Sequence, residues 1–280
     1  MIMNGSFLGA DSIILDLEDA VSPEEKDAAR LLVSHSLKAL NFGRCEIIIR
    51  INSLDTPYWE DDLEKIVPLE PDVIMPTKVS GGDYIKRLDS KISEIEGKNG
   101  IEARKTKIIP LLETAIGIEN AFEIAKASSR MDALCLGAED LTADLRCERT
   151  RGGFEIQYAR SRLVNAARAA GIEAYDTPFT AIEDMDGLLQ DTLTAKALGF
   201  SGKGVIHPKH VETVNRVFSP SEKEIRYAKD VFAAIEEAER LGKGAISLRG
   251  KMIDAPIVQR ARRVLEATEE IAARRSGVNE

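Results

Sequence analysis

Short apolar runs alternate along the chain with segments whose apolar residues recur every three or four positions. The first pattern predicts buried strands, and the second predicts amphipathic helices. We predict about seven strands, within residues 12–18, 45–52, 72–78, 107–114, 131–136, 174–179 and 202–208. Alternation at roughly 25 to 35 residues per unit indicates parallel βα units, for which a closed (β/α)8 barrel and an open doubly wound sheet are the candidates.

The segments between these runs predict helices with one buried face. The predicted inner faces are Ile85, Leu88, Ile92 and Ile95 in one helix, Ile118, Ala121, Phe122 and Ala125 in another, and Leu189, Leu193 and Ala197 in a third. No GxGxxG motif follows any predicted strand, which disfavours a dinucleotide-binding sheet. We therefore expect an α/β fold.

Two of the apolar runs, residues 108–112 and 131–136, each lead to a carboxylate, Glu113 and Asp140. If these strands are parallel neighbours, their ends lie about 5 Å apart, and both carboxylates can reach one hard cation. Mg²⁺ usually takes one or two protein carboxylates and keeps several waters. Barrel enzymes place their chemistry at this rim, where further polar residues occur: Glu18, Asp19, Arg50, Asn52, Lys78, Glu139, Asp176 and His207.

The last part of the chain departs from the alternation. We predict a barrel domain over residues 1–218 and a helical lid or swapped arm over 219–280, because this tail lacks the pattern of a further βα unit. A capping box over residues 219–222 is expected to begin its first helix. Asp254 precedes a second predicted helix, where aspartate commonly caps the helix start. From the residues alone, capping is at least as good an interpretation of Asp254 as catalysis.

The composition excludes several classes of protein. A net charge of -9 and a pI near 5.1 argue against nucleic acid as a partner, because phosphate binding requires a concentrated basic surface. The 3 cysteines have no CxxC spacing, so we expect neither a disulfide framework nor a zinc site. This use of cysteine indicates a protein of the reducing cytoplasm. No apolar run approaches the length of about 20 residues that a membrane span requires, and no signal peptide opens the chain.

Six segments together carry a family resemblance: Ile-Leu-Asp-Leu-Glu-Asp-Ala-Val at 14–21, Arg-Ile-Asn at 50–52, Leu-Leu-Glu-Thr-Ala at 111–115, Gly-Ala-Glu-Asp-Leu at 137–141, Gly-Lys-Gly-Val-Ile-His-Pro at 202–208 and Gly-Lys-Met-Ile-Asp-Ala-Pro at 250–256. In this order they resemble the citrate lyase β-subunit-like (CitE-like) branch of the HpcH/HpaI aldolase superfamily, the CoA-ester lyases. The resemblance implies a TIM-like (β/α)8 barrel, a Mg²⁺ site, and a homotrimer or hexamer. It also implies an additional first strand that positions CoA. This chain lacks that strand, so we expect a barrel without it, followed by the C-terminal lid or arm.

The resemblance also implies roles for individual residues. Glu113 and Asp140 would bind the metal, Arg50 would hold the substrate carboxylate or carbonyl, and Asp254 would be the acid/base, supplied by the lid of an adjacent subunit. Glu18 and Asp19 would lie beside the metal, joined to it through waters. The sequence assigns Glu139 only a supporting or solvated position. The proline before Lys78 is shifted by one position from the family pattern, so Lys78 is not assigned to the site.

The implied reaction is Mg²⁺-dependent cleavage or formation of a 3-hydroxyacyl-CoA thioester of the malyl-, citramalyl- or citryl-CoA type. The products of cleavage would be acetyl-CoA and a 2-oxo acid. Two alternatives remain open at this stage. One is a metal-dependent aldolase acting on free 2-oxo acids, and the other is a subunit of a citrate-lyase-like complex that is not active by itself.

Overall fold

The computed structural model describes residues 2–240 and 247–276. The chain forms two compact units, Met1–Asn215 and Arg216–Glu280, and the helix Val211–Phe218 spans the boundary between them. Among the described residues, no helix is both long enough and apolar enough to cross a membrane.

The first unit is built on consecutive parallel strands. They are β1 (Ser12–Asp16), β2 (Glu46–Ile51), β3 (Val73–Pro76), β4 (Lys107–Ile108), β5 (Leu111–Leu112), β6 (Ala133–Leu136), β7 (Glu173–Asp176) and β8 (Gly202–Lys203). They form two ladders of four strands, β1-β2-β3-β4 and β5-β6-β7-β8, and each strand pairs with the next in the chain. Such a sequential order is that of a barrel and differs from the order of a doubly wound sheet.

The two ladders share one continuous strand, residues 107–112, which is interrupted only at its centre. Pro110 has no amide hydrogen to donate, so the ladder is broken there. Backbone hydrogen bonds beside Pro110 still join this strand to β3 and to β6. The Ile109 amide donates to the Ile74 carbonyl at 3.1 Å, and the Cys135 amide donates to the Pro110 carbonyl at 3.0 Å. β4 and β5 are therefore two parts of the single strand that the sequence predicted.

The ladders do not close into a full barrel within the described residues, because no strand pairs with the outer edge of β1 or β8 there. The chain has the TIM-like parallel α/β fold that the sequence predicted, without closure. Alternate residues of the strands fill the interior, since successive side chains of a strand point to opposite faces. This inner row comprises Ile48, Val73, Met75, Ile109, Leu111, Ala133 and Cys135, with Tyr175 packed against it.

The helices of the first unit connect these strands. They are α1 (Lys26–Ala39), α2 (Trp59–Ile66), α3 (Gly82–Asn99), α4 (Ala115–Glu119), α5 (Ala121–Ala125), α6 (Ala138–Asp144), α7 (Gln157–Ala170) and α8 (Met185–Leu198). A ninth helix, α9 (Val211–Phe218), follows β8 and spans the boundary of the two units. Short 3-10 turns lie at Ile2–Phe7, Pro23–Glu25, Val67–Leu69, Phe154–Ile156 and Pro208–His210. The predicted inner face of α3 is confirmed, since all its members are fully buried: Ile85, Leu88, Ile92 and Ile95.

The single helix predicted around Ile118 is wrong, because the structure divides it into α4 and α5 at Asn120. Ile118, Ala121 and Ala125 are buried as predicted, but Ile124 is buried in place of Phe122, which is 40% exposed. The Lys126 ammonium lies 5.3 Å from the centre of the Phe122 ring, a distance suited to a cation–π contact.

The predicted inner face of α8 is also wrong. Leu193 is 43% exposed, whereas Leu188, Asp191 and Thr192 are buried. Asp191 faces inward because it pairs with buried cations, as described below. When a buried ion pair determines which face of a helix is buried, the pattern of apolar residues does not predict that face.

The second unit contains two helices joined by a hairpin. The elements are α10 (Glu222–Arg240), β9 (Ser247–Leu248), β10 (Lys251–Met252) and α11 (Ala255–Ser276). The strands are antiparallel, and Ala228, Val231 and Ala261 form the centre of the helix contact. The predicted capping box is shifted: Ser221 accepts from the Glu224 amide at 3.2 Å, and the Glu224 carboxylate accepts from the Ser221 amide at 2.7 Å.

Candidate active site

Glu113 and Asp140 lie at the carboxyl ends of neighbouring strands, as predicted. β5 and β6 are parallel, with Leu112 paired to Leu136. Glu113 follows β5 and continues the inner row two residues after Leu111, whereas Asp140 lies in the first turn of α6. Both carboxylates line one cleft of about 480 Å³.

Gly137 makes room for the Glu113 side chain. A Cβ atom at this position would lie 2.8 Å from both the Cβ and the Oε2 of Glu113. Contacts this short are repulsive, so any larger residue would displace the carboxylate. The glycine of the Gly-Ala-Glu-Asp-Leu segment therefore serves the geometry of Glu113.

The Glu113 carboxyl group is almost completely buried, with 4% of the residue exposed. Its Oε1 accepts a hydrogen bond from the Lys78 amide at 2.8 Å. Burial raises the pKa of Glu113 to about 8, and the nearby charges of Asp140 and Glu18 act in the same direction. Because excess negative charge causes part of this shift, a cation beside Glu113 and Asp140 would favour ionisation.

Arg50 ends the inner row of β2 and is bound by a residue that the sequence analysis did not assign. Its Nε and Nη2 donate to the Asp16 carboxylate at 2.7 and 2.5 Å, and the strands align Asp16 directly with Arg50. Burial opposes the charge, but the ion pair with Asp16 outweighs it and raises the pKa of Arg50. The sequence offered one signal, an acid two residues before Glu18 in the same strand end, but the pairing with Arg50 depends on the alignment of β1 with β2.

Glu18 and Asp19 lie in the loop after β1. The Lys26 ammonium fixes this loop by donating to the carbonyls of Leu17 and Glu18, each at 2.8 Å. Glu18 is 5% exposed, and its Oε2 lies 3.7 Å from Arg50 Nη1. Glu18 thus lies beside Arg50, whereas the Asp19 side chain is mostly exposed.

Lys78 reaches into this group of acids, although the sequence analysis did not assign it to the site. Its Nζ lies 3.0 Å from Glu18 and 3.8 Å from both Asp19 and Asp140. Burial opposes its charge, but the hydrogen bond to Glu18 outweighs it and raises the pKa of Lys78. The available signal was a lysine at the end of the third strand, next to a predicted rim rich in carboxylates.

The remaining strand-end residues lie in other surroundings. Glu139 is exposed, with its carboxylate 3.6 Å from Arg149 Nε. The His207 ring accepts from the Lys209 amide at 3.2 Å and so begins a 3-10 turn. Asp176 is fully buried and binds Arg160 Nη2 at 2.8 Å.

Asp254 belongs to the second unit, where it precedes α11. Its Oδ1 accepts from the Ile257 amide at 3.1 Å, which is the contact of a helix N-cap. The capping interpretation therefore has a structural basis, and the acid/base role stays a prediction.

The oxygen ligands of this cleft fit a hard divalent cation. Glu113 and Asp140 supply carboxylate oxygens, and the negative charges of Asp140 and Glu18 add to burial in raising the pKa of Glu113. Among the described residues, no group of three or more His, Cys, Asp and Glu side chains converges as a metal site. The predicted site has two carboxylates, so waters would have to complete the coordination.

Comparison with known proteins places this architecture among known enzymes. A model of the HpcH/HpaI aldolase/citrate lyase family matches residues 1–208. The chain is 45% identical over 266 residues to the citrate lyase subunit beta of Leuconostoc mesenteroides subsp. cremoris, covering 95% of this chain and 88% of that protein. It is 33% identical over 275 residues to the mitochondrial citramalyl-CoA lyase of Rattus norvegicus, covering 94% and 81%.

Among solved structures, the chain is similar to protein CitE from Mycobacterium tuberculosis in complex with magnesium, acetoacetate and coenzyme A. The TM-score is 0.73 at 30% identity, with 92% of this chain and 90% of that chain covered. The TIM-like fold, the acidic cleft at its strand ends and the relatives named as lyases define the protein as a carbon–carbon lyase. The chain belongs to the HpcH/HpaI aldolase/citrate lyase family.

Proposed function

We propose that this chain is a Mg²⁺-dependent lyase that cleaves or forms a 3-hydroxyacyl-CoA thioester. The substrate would be of the malyl-, citramalyl- or citryl-CoA type, and the products of cleavage would be acetyl-CoA and a 2-oxo acid. The observation that carries the proposal is the convergence of Glu113 and Asp140 in one cleft. The names of the relatives, which include a citramalyl-CoA lyase, support the substrate class.

Glu113 and Asp140 would hold the cation. When bound, Mg²⁺ would supply Lewis-acid polarisation of the substrate oxygens. Asp16 accepts from Nε and Nη2 of Arg50, whereas Nη1 lies 3.7 Å from Glu18 Oε2, beyond hydrogen-bond distance. Arg50 would use Nη1 to orient the carboxylate of the 2-oxo acid portion, since a guanidinium binds carboxylates in a fixed plane and stays charged at working pH.

In the cleavage direction, the substrate hydroxyl would release its proton to water, its O–H electron pair would form the C=O bond at C3, and the bond between C2 and C3 would break. C3 becomes the carbonyl carbon of the 2-oxo acid, and the electron pair remains on C2 as the enolate of acetyl-CoA. Asp254 of an adjacent subunit would protonate C2, and in the reverse reaction it would remove that proton. A homotrimer or hexamer is proposed on this basis, because the lid would then act across a subunit boundary.

The test is to incubate the protein with Mg²⁺ and separate malyl-, citramalyl- and citryl-CoA esters while acetyl-CoA release is measured. We expect acetyl-CoA and the matching 2-oxo acid from at least one ester, and no release in the presence of EDTA. Absence of acetyl-CoA from every ester would overturn the proposal of an independent CoA-ester lyase.

One relative supports a second candidate. The 45% identity to a citrate lyase subunit beta favours a subunit that acts within a citrate-lyase-like complex. Activity that appears only after further subunits are added would support this candidate. An aldolase on free 2-oxo acids would instead release product from 4-hydroxy-2-oxo acids without any thioester.

A further inference from the structure

Lys78 has an unusual backbone conformation for a lysine. Its φ of 55° lies in the left-handed region, which residues other than glycine seldom adopt. This conformation lets one residue make two contacts with the acidic group. The amide of Lys78 donates to Glu113 Oε1 at 2.8 Å, and its ammonium donates to Glu18 Oε1 at 3.0 Å.

The ammonium also lies 3.8 Å from Asp140 Oδ2, and Asp140 is one of the two proposed metal ligands. At 3.8 Å this is an ion pair without a hydrogen bond. The side chain of Lys78 is 41% exposed, so it can move toward solvent without leaving a cavity. A lysine side chain has a flexible four-carbon stem that permits such a movement.

We propose that Lys78 is a tethered positive charge that competes with the divalent cation for the carboxylates Asp140 and Glu18, and so weakens metal binding. The inference rests on the proposed function, because it concerns the same site. In the metal-free protein the ammonium balances part of the negative charge of the cleft. When the cation binds, Lys78 is repelled or displaced, and this cost lowers the metal affinity. Lys78 stays charged throughout, so no proton transfer is involved.

The effect of removing Lys78 on Mg²⁺ affinity has opposite signs for a competing role and for a merely structural role. If its ammonium mainly held the carboxylates in position, its removal would weaken Mg²⁺ binding. If it competes, its removal strengthens binding, by about tenfold for one partly exposed charge near a divalent ion. The sign of the change therefore distinguishes the two roles, and the measurement does not depend on catalytic activity.

The experiment is titration of the metal-free protein with Mg²⁺ alone by isothermal calorimetry. We expect the Kd of Lys78→Met to be about tenfold lower than that of the original protein. Lys78→Arg keeps the charge, so its Kd is expected to stay within about twofold. Lys78→Gly removes the same charge and accepts the left-handed backbone without strain, so it also strengthens binding and covers the case in which Lys78→Met fails to fold.

Lys98→Met is the matched control. Lys98 also pairs with a carboxylate, Glu94, but it lies at the far end of α3, about 24 Å along the helix from Gly82. This separation exceeds the Debye length of about 8 Å at physiological salt, so the Kd for Mg²⁺ should not change. Equal or weaker Mg²⁺ binding by folded Lys78→Met and Lys78→Gly would overturn the inference and leave the proposed function intact. Absence of Mg²⁺ binding by all the variants would overturn both.

Discussion

The carboxyl group of Glu113 is a proposed metal ligand, and its burial also lowers the stability of the folded protein at neutral pH. Burial raises its pKa to about 8, well above the ordinary value of about 4.5 for a glutamate. The folded, metal-free protein therefore holds a proton that the unfolded chain releases at lower pH. The contribution of this carboxyl group to the free energy of unfolding is therefore greatest below about pH 4.5 and is lost as the pH rises toward 8.

We expect Glu113→Gln to remove this loss. The glutamine cannot ionise and still offers an oxygen to the Lys78 amide, so the variant gains about 2–4 kcal/mol over the original protein at pH 8, with a smaller difference at pH 5. Urea unfolding in EDTA at a series of pH values measures the difference. A difference that stays constant between pH 5 and 8 would show that Glu113 does not titrate in this range.

Asp254 offers a sharper test at the scale of one residue, because asparagine caps helices about as well as aspartate. We expect Asp254→Asn to keep the N-cap of α11 and the affinity for Mg²⁺, but to lose about 10²- to 10⁴-fold in kcat as a missing general acid or base does. Steady-state kinetics and calorimetry measure these quantities. Turnover at the original rate would leave Asp254 with the capping role alone.

Residues with a chemical signature were predictable from the sequence, and residues with only a structural partner were not. Glu113 and Asp140 follow apolar strands, so the pattern identified them. Asp16 was missed because its role depends on alignment with Arg50 across two strands. Lys78 was missed because its left-handed backbone turns its side chain toward acids from other loops, which spacing along the chain does not reveal.

At the scale of elements, a buried group of charges joins α7, α8, β7 and β8. Arg160 binds Asp176 and Asp191, and the Lys203 ammonium lies 2.6 Å from each of these carboxylates. All four side chains are almost completely buried. Removing Arg160 would leave two buried carboxylates with one ammonium, so that one negative charge would be unbalanced in a low dielectric environment.

We expect Arg160→Met to lower the free energy of unfolding by about 3–5 kcal/mol. Arg162→Met is the control, because Arg162 lies on the same helix and its guanidinium donates an exposed hydrogen bond to the Glu119 carbonyl. The control should change stability by less than about 1 kcal/mol. Urea unfolding of both variants measures the effect, and equal losses would contradict the importance of the buried charges.

The same group of charges explains which helices could be predicted. The inner face of α3 consists mainly of apolar residues and was predicted correctly, although Glu96 is buried there as well. That of α8 contains Asp191 and Thr192, so apolar periodicity selected the wrong face. The apolar pattern predicted that both helices exist, but the buried face of α8 could be identified only from its ion pairs.

At the scale of the whole molecule, the alternation of elements predicted about seven parallel strands, but both a closed barrel and a doubly wound sheet fitted it. The family resemblance favoured the barrel, and within each ladder the strands pair in the order of the chain. The family was recognisable from six ordered segments, since their common arrangement is far more specific than any one of them. The acid/base role of Asp254 stays a prediction, because the acid lies in a different unit from the cleft.

Pro110 removes a backbone hydrogen bond from the middle strand of this sheet. Because the missing amide hydrogen interrupts the ladder there, opening of one half need not break the hydrogen bonds of the other. We expect amide hydrogen exchange to divide at this strand into two cooperative groups, one with β1–β3 and the other with β6–β8. Acids from both groups lie near the Lys78 ammonium, with Glu18 from the first and Asp140 from the second, so a cation bound among these acids would slow the exchange of both groups together.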